Sequence, residues 1–298
     1  MFVHRDRERP FFDAIRNQEL SQNELVARIQ EGMKKMVARQ PEIDFNSFPF
    51  EGGTMKLTPD MLVPEETVGF SGPLSNKGIL RHLFLGDIDI FPFNPLNLGA
   101  NAYDVTLGDS YYRFKATNTE EGQNLFIHNP YSRKHSKDIW YGPEKAVSLT
   151  DLKEILEEDL SGIKESDKVI LLHSGEMILG HTEEVVHNRG CISVISARSS
   201  TGRNLITICE DSFLIQYGFR QRITLEVKSK FTNSHWLIPL VAGRRYAQLQ
   251  FFLVEPPLFA PEERYSDTER DIVDIYNNWD PSSMLPQMWK DREVDQAQ

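Results

Sequence analysis

The stretch of sequence that decides the fold reads ARSSTGR and runs from Ala197 to Arg203. A β-rich run, Cys191–Ser196, comes directly before it, and a second run, Ile206–Cys209, follows closely. Short runs of this kind, separated by polar or glycine-containing turns, are typical of β-sandwiches and β-barrels. We therefore predict that the ARSSTGR stretch connects two strands of a mainly β domain.

Similar short runs lie along the chain on both sides of this stretch. They are rich in β-branched and aromatic residues, or they alternate between apolar and polar residues as half-buried strands do. The predicted strands are Asp87–Pro92, Tyr103–Leu107, Lys168–Leu172, Glu176–His181, Ile223–Val227, Trp236–Leu240 and Ala247–Val254. Strands are therefore expected to dominate the fold.

Three segments carry helix signals instead. Ser21 begins a capping box ahead of apolar residues at helical spacing, which predicts a helix over Gln22–Arg39. Ser75 predicts the start of a second helix and Gly86 its end. A third helix is predicted over Asp151–Leu160.

These signals divide the chain into three parts. Residues 1–74 are predicted to be a partly helical extension, residues 75–256 the β domain, and residues 257–298 a proline-rich polar tail. The tail carries scattered aromatic residues, among them Tyr265, Tyr276, Trp279 and Trp289. The first three either offer a stacking surface to a base or pack on a neighbouring subunit.

Composition limits the class of protein. The 298 residues are 40% hydrophobic and 26% charged, which suits one large globular domain with additions or two small ones. No apolar run is long enough for a membrane span, and the charged N-terminus does not read as a secretory signal. The two cysteines are too few for a disulfide framework, so we expect a reducing, cytoplasmic compartment.

Charge is unevenly distributed along the chain. The net charge of −11 disfavours a general nucleic-acid binder. The segment from Arg198 to Arg245 nevertheless holds eight basic residues against three acidic ones. A local arginine cluster suits a compact polyanion such as a triphosphate, whereas surface ion pairs are the structural alternative.

Four motifs carry the chemistry. They lie, in chain order, in Asn101–Gly108, Leu172–Glu176, Ala197–Arg203 and Tyr217–Leu249. Together they resemble the dCTP deaminases and the related dUTPases. Those families have an Asp-Val-Arg-Leu-Gly strand, a Leu-His-Pro-Gly-Glu turn, an Arg-Ser-Ser motif and a Gly-x-x-x-Ala-Gln-Leu strand, and each has a counterpart here. The resemblance is closer to the deaminases and runs from Ser75 to Pro256.

The resemblance implies a distorted jelly-roll β-barrel of the dUTPase type, assembled as a homotrimer with active sites shared between subunits. It implies zinc-independent hydrolytic deamination of dCTP, or of a closely related cytosine deoxynucleotide, with release of ammonia. Mg²⁺ would arrive with the nucleotide phosphates. The alternatives are dUTPase-like pyrophosphate hydrolysis and a non-catalytic nucleotide-binding regulatory protein. The Pro-Cys-x-x-Cys signature of zinc nucleobase deaminases is absent from the sequence.

The resemblance also implies roles for individual residues. Glu226 would be the general base, oriented by Arg203 and assisted by Ser199. The nucleotide-binding residues would be Arg198, Ser199, Ser200, Gln216, Tyr217 and Gln248. Asp104 matches an aspartate that helps to hold Mg²⁺ in dUTPases. Two structural alternatives stay open: a solvent-facing Glu226 paired with Lys228, and an Asp104 that stabilises a turn.

Departures from the family pattern bear on the substrate. The aspartate with which dUTPases activate water is replaced by Gln216, an amide that cannot act as a base, so a dUTPase mechanism is disfavoured. A family arginine falls at Leu214, and two family histidines fall at Phe213 and Cys209. Because this stretch contacts the base and sugar in the family, a modified cytosine, a different phosphate state and no turnover all remain open.

Overall fold

The computed structural model of the protein describes residues 20–50, 52–63, 72–115, 127–152, 160–232, 235–257 and 264–295. The strands in these ranges are β1 (Phe48–Phe50), β2 (Gly53–Met55), β3 (Ile88–Phe91), β4 (Tyr103–Thr106), β5 (Ser110–Phe114), β6 (Trp140–Lys145), β7 (Val147–Ser148), β8 (Lys168–His173), β9 (Met177–Asn188), β10 (Cys191–Ala197), β11 (Ile206–Thr207), β12 (Leu214–Ile215), β13 (Arg220–Ser229), β14 (Leu237–Val241) and β15 (Arg245–Leu253). The α-helices are α1 (Gln22–Arg39), α2 (Asn76–Leu85), α3 (Arg133–Asp138), α4 (Leu149–Leu152), α5 (Ser199–Arg203), α6 (Ile272–Asn277) and α7 (Arg292–Asp295).

The strands form antiparallel sheets, and the mainly β prediction is confirmed. One sheet has the order β12-β10-β15-β4, and a larger one has the order β11-β13-β9-β5-β6 with β3 also paired to β9. Two smaller sheets pair β1 with β2 and place β8 between β14 and β7. Over the described ranges the strands form four separate sheets rather than one closed barrel.

Strand β9 is the centre of the larger sheet. One of its edges pairs with β13, and the other pairs with β5 near its start and with β3 near its end. Almost every residue of β9 is buried, on both faces of the strand. Since buried backbone groups must find hydrogen-bond partners, these three neighbours determine the register of β9.

The capped helices occur where the sequence predicts them. Helix α1 starts at a capping box in which the Ser21 side chain and Glu24 exchange hydrogen bonds, and its apolar residues are buried. Helix α2 is capped by Ser75 and ends at Gly86 in the left-handed conformation. The apolar face of α1 packs into the same hydrophobic core as the strands, so the N-terminal segment is joined to the β domain by packing.

Two predicted segments have a different outcome. The helix expected over Asp151–Leu160 is described only as the short helix α4, because residues 153–159 lie outside the described residues. The tail packs on the chain's own larger sheet. Its helix α6 contributes Ile272 and Ile275 to a small hydrophobic cluster with Val185 of β9.

Gly108 lies just after the end of β4 and packs closely against β9. A Cβ atom on Gly108 would lie 1.9 Å from Cε1 of the His181 ring, and the Gly108 N–H donates to the His181 carbonyl over 2.8 Å. The ring is itself buried and cannot move away without opening the core. Only glycine therefore fits between the end of β4 and β9.

We expect Gly108→Ala to lower the free energy of unfolding by roughly 1–3 kcal/mol, because the added methyl group overpacks the core against His181. Urea denaturation checks this value. Gly202→Ala is the matched control, since no atom of the described residues outside its own helix turn lies within 4 Å of its Cβ position. Equal stability of the two variants would show that His181 yields to the methyl group.

Candidate functional site

The ARSSTGR stretch lies where the sequence predicts it, between two strands. Strand β10 ends at Ala197, the five residues Ser199–Arg203 form the short helix α5, and β11 begins at Ile206. The connection back to β11 passes through Leu205, whose φ of 58° is in the left-handed region. Such a conformation is uncommon for a leucine and indicates a tightly constrained connection.

Arg198 is held at the start of this connection by an ion-pair cluster. Its Nε lies 2.8 Å from Oδ2 of Asp104, and Arg245 Nη1 lies 3.2 Å from the same oxygen. Gln248 is directly opposite Asp104 in the β4–β15 ladder, and its Nε2 donates to Ser196 Oγ over 3.2 Å. Arg198, Asp104 and Gln248 therefore come together at one end of the four-stranded sheet, although they are far apart in sequence.

The hydroxyl and guanidinium groups that follow Arg198 are open to solvent. Ser199, Ser200 and Arg203 are all exposed on α5. Arg203 makes no hydrogen bond or ion pair through its side chain with any described residue. These donors are available to a ligand, as a phosphate site requires.

Glu226 lies on β13, paired in register with Leu179 of β9, and it is half-buried. The structural alternative for this residue is wrong, because the Lys228 ammonium binds Glu210 at 3.0 Å instead. Over the described ranges the Glu226 carboxylate forms no hydrogen bond or ion pair. A partly desolvated carboxylate without a partner is costly, which marks it as a functional candidate.

Cys209 follows β11 and is a neighbour of Glu226 on β13. Thr207 is opposite Lys228 in the β11–β13 ladder, so continuing the register by two residues brings Cys209 opposite Glu226. Burial, and then the negative charge of Glu226, raise the pKa of the Cys209 thiol. The thiol therefore stays protonated beside the carboxylate. The nearby Thr207 hydroxyl is buried and has no hydrogen-bond partner among the described residues.

Gln216 and Tyr217 follow the edge strand β12. Gln216 is exposed, and its backbone carbonyl accepts a hydrogen bond from Asn188 Nδ2 at 3.4 Å. The residues before it, Phe213 and Leu214, are 53% and 49% exposed. The edge of the four-stranded sheet thus presents apolar side chains next to the candidate nucleotide-binding residues.

The predicted site residues form separate groups within one chain. Arg198, Asp104 and Gln248 are in contact through the four-stranded sheet, whereas Glu226 is on the larger sheet. In the described part of the chain, the Arg203 guanidinium does not pair with the Glu226 carboxylate. The fold of a single chain therefore brings together only part of the predicted site residues.

Asp104 does not offer a free carboxylate to a metal ion. It binds Arg198 and Arg245, so a cation there would have to displace two guanidinium groups. The described residues contain no group of three or more His, Cys, Asp or Glu side chains arranged to hold a metal. The residues around Asp104 therefore do not fit a protein-held Mg²⁺ ion, and a structural ion-pair role fits them better.

A sequence profile of dCTP deaminase-like proteins matches residues 73–254, more than half of the chain. The chain belongs to the dCTP deaminase-like family. No curated protein sequence matches it.

Solved structures similar to this family member have low identity. The 2′-deoxycytidine 5′-triphosphate deaminase of Agrobacterium tumefaciens is 21% identical, with a TM-score of 0.38, and the match covers 61% of this chain and 48% of that one. The EIAV dUTPase is 17% identical, with a TM-score of 0.26, over 32% of this chain and 76% of that one. A mutant dUTPase of S. aureus phage phi11, described with a structural Mg(II) ion, is 14% identical, with a TM-score of 0.27, over 36% of this chain and 90% of that one.

None of the helices in the described ranges is both long and apolar enough to cross a membrane.

The aromatic residues of the tail are engaged within the dCTP deaminase-like chain itself. Tyr276 donates to Glu183 over 2.7 Å, and the Trp279 ring lies 4.1 Å from the His181 ring, centroid to centroid. Both rings also contact the buried guanidinium of Arg222. Neither stacking on a base nor packing on a neighbour is needed to explain these two aromatics.

Glu184 is a buried carboxyl group that the sequence reading overlooked. It lies on β9 with 3% of its surface exposed, and it accepts hydrogen bonds from the Thr106 backbone N–H and hydroxyl at 2.9 and 3.0 Å. Burial raises the pKa of Glu184 to about 7, against the opposing effect of these hydrogen bonds. Thr106 is two residues after Asp104 on β4, so the carboxyl supports the strand that carries the ion-pair cluster.

The raised pKa of Glu184 predicts that the protein becomes less stable as the pH rises. The protonated Glu184 carboxyl contributes to the free energy of unfolding. This contribution is fully present below the unfolded pKa of 4.5 and is lost as the pH rises through about 7. Wild type should therefore lose stability between pH 5 and pH 8, whereas Glu184→Gln should not. The free energy of unfolding of the variant, relative to that of wild type, should rise by about 1–3 kcal/mol over this range.

Urea unfolding at each pH measures this difference. Glu210→Gln is the control, because Glu210 is exposed and its replacement should show no comparable gain. A Glu184→Gln variant whose stability follows wild type at every pH would contradict the buried, raised-pKa carboxyl.

Proposed function

We propose that this protein hydrolytically deaminates dCTP or a closely related cytosine deoxynucleotide, releasing ammonia. The observation that carries the proposal is the half-buried Glu226 carboxylate, which has no hydrogen-bond or ion-pair partner among the described residues of a dCTP deaminase-like domain. A partly desolvated carboxylate close to a protonated thiol is equipped to accept a proton from water.

The reaction needs one base and no redox step. Glu226 takes a proton from water, and the hydroxide oxygen forms a bond to C4 of the cytosine. Glu226 delivers this proton to ring N3, and it then passes the remaining proton of the new C4 hydroxyl to the exocyclic nitrogen. The C4–N bond breaks, and ammonia leaves as the C4 carbonyl of the uracil forms. Arg203, whose side chain makes no hydrogen bond or ion pair with the described residues of its own chain, is proposed to orient the carboxylate of a neighbouring copy. The Ser199 hydroxyl is proposed to place the water or the exocyclic amine.

The nucleotide phosphates are assigned to the ARSSTGR stretch. Arg198 supplies positive charge, and the exposed hydroxyls of Ser199 and Ser200 donate hydrogen bonds. Gln216, Tyr217 and Gln248 are proposed to contact the rest of the nucleotide. Mg²⁺ bound to the phosphates would neutralise part of their charge, and no protein ligand for it is proposed.

A homotrimer is part of the proposal. The Arg198 group and Glu226 are on different sheets of one chain, which supports a site that draws residues from two copies. The exposed Phe213 and Leu214 on the edge strand β12 are suited to burial in such an interface. Analytical ultracentrifugation of the full chain tests this assembly.

Incubation with dCTP and Mg²⁺, followed by assays of ammonia and pyrophosphate in the same sample, tests the proposed reaction. Ammonia with a uracil nucleotide supports deamination. Pyrophosphate without ammonia supports the dUTPase-like alternative, which the amide side chain of Gln216 disfavours. Nucleotide binding with neither product, for dCTP and for modified cytosines, supports the regulatory alternative.

We expect Glu226→Gln to reduce ammonia release at least ~100-fold while nucleotide binding changes by less than about threefold, because the amide keeps the shape but cannot accept the proton. Calorimetric titration with dCTP measures binding separately from turnover. Glu269→Gln is the matched control, an exposed acid on the C-terminal segment whose loss should leave turnover unchanged. Wild-type turnover in Glu226→Gln would exclude Glu226 as the base.

A further inference from the structure

The loop between β13 and β14 carries an aromatic pair to which the proposed deamination assigns no role. The rings of Phe231 and Trp236 are stacked, with their centroids 5.4 Å apart and their planes 13° from parallel. Trp236 is 57% exposed, whereas the other three tryptophans of the chain are half-buried. Phe231 therefore covers one face of the Trp236 ring, and more than half of the residue's surface stays open to solvent.

Two backbone hydrogen bonds join this loop to the ARSSTGR stretch. The Leu205 N–H donates to the Gly202 carbonyl over 3.1 Å, so Leu205 lies directly at the end of α5. The Lys230 N–H donates to the Leu205 carbonyl over 2.8 Å, and Phe231 is the next residue of the chain. The aromatic pair therefore starts close to the helix that is proposed to hold the phosphates.

The residue that makes this junction is itself constrained. Leu205 combines a left-handed φ of 58° with a side chain that is 40% exposed. Such a conformation persists only where the surrounding structure imposes it. Because the Leu205 carbonyl is the acceptor for Lys230, the constrained residue is also the one that fixes the aromatic loop relative to α5.

The surface around the junction is basic and open. Arg203 and Lys230 are both exposed, and neither side chain makes a hydrogen bond or ion pair with a described residue. No atom of the described residues outside its own helix turn lies within 4 Å of the Cβ position of Gly202. A protein with a net charge of −11 thus presents two unpaired cations and an exposed indole ring in one region. This combination suits a ligand that carries negative charge and a flat ring.

The residues proposed to bind the nucleotide offer no exposed aromatic ring. They supply charge, hydroxyl groups and amides, and Tyr217, the one aromatic residue among them, is half-buried. Proteins commonly hold a base by stacking it on an aromatic side chain, and this contact does not depend on the identity of the base. Trp236 supplies the exposed ring that this set of residues lacks.

The chemistry of the reaction leaves one face of the base available for stacking. Water attacks C4 from above the plane of the pyrimidine ring, so an aromatic side chain on that face would exclude the water. The opposite face takes no part in the reaction. A single indole ring backed by Phe231 can cover that face and leave C4 accessible.

We propose that Trp236 stacks on the base of the nucleotide whose phosphates bind the ARSSTGR stretch, on the face opposite the attacking water. Phe231 holds the Trp236 ring in the orientation that this contact needs. The inference rests on the proposed function for the position of the phosphates. Trp236 binds the substrate and transfers no proton.

Calorimetric titration of the full chain with dCTP and with inorganic tripolyphosphate tests the inference, because tripolyphosphate has the phosphates but no base. Both titrations use the Glu226→Gln background, which is expected to bind dCTP without consuming it. In this background Trp236→Ala should weaken dCTP binding by at least about fivefold and change the Kd of tripolyphosphate by less than about twofold. Trp236→Phe should keep the dCTP affinity within about twofold, because a flat ring is retained.

Phe114→Ala is the matched control. Phe114 is 51% exposed and also pairs with a second ring, that of Trp140, at a centroid distance of 6.1 Å. It lies on β5, which β9 separates from β13, so its replacement should leave both Kd values unchanged. Trp236→Leu takes the place of Trp236→Ala if the alanine variant fails to fold, since leucine keeps an apolar contact with Phe231 but has no flat ring.

Three results would overturn the inference. They are an unchanged Kd for dCTP in Trp236→Ala, an equal loss of affinity for dCTP and tripolyphosphate, and an altered assembly state of Trp236→Ala in analytical ultracentrifugation. The last result would assign the ring to a contact between copies of the chain.

The ammonia assay separates this inference from the proposed function. In a chain that deaminates dCTP, Trp236→Ala should raise KM and leave kcat within about twofold, because stacking binds substrate and transition state equally. Ammonia release with an unchanged KM in Trp236→Ala would overturn this inference alone. Binding of dCTP that depends on Trp236, without ammonia release, would overturn the deamination alone. No binding of dCTP at millimolar concentration would overturn both.

Discussion

Pairing between β9 and β13 is the constraint on which the other features depend. Strand β9 is buried along nearly its whole length, so its backbone groups must be satisfied by neighbouring strands and cannot turn to water. The register with β13 changes at an irregularity between Arg222 and Thr224 and continues to the pair of Glu226 with Leu179. This ladder places Glu226 on a rigid strand and holds Arg222 against the C-terminal tail.

Arg222 shows how the fold accommodates a buried charge. Its side chain is only 8% exposed, its Nη1 binds Glu183 at 3.0 Å, and its guanidinium lies 4.7 Å from the Tyr276 ring centroid. Removing one member of such a pair leaves an uncompensated charge in the interior, which is strongly destabilising. The described part of the tail therefore packs firmly on the larger sheet.

The Arg198 cluster and the buried Glu184 are connected through one short strand. Asp104 holds Arg198 from β4, and Thr106, two residues later on β4, donates to Glu184 of β9. The ion-pair cluster at the end of the four-stranded sheet is thus anchored to the centre of the larger sheet. Glu226 reaches the same centre from β13, so β9 is the common support of both parts of the proposed site.

Local sequence determined the elements whose stabilising contacts are close in the chain. The capping box at Ser21, the Gly86 cap and the strands around the ARSSTGR stretch were all predictable, because capping and side-chain alternation involve residues within a few positions of one another. The motifs also identified the family. Only the tertiary structure decided that Lys228 binds Glu210, that Arg198 binds Asp104 and that Glu184 is buried, because strand pairing brings these groups together across long separations that no local pattern encodes.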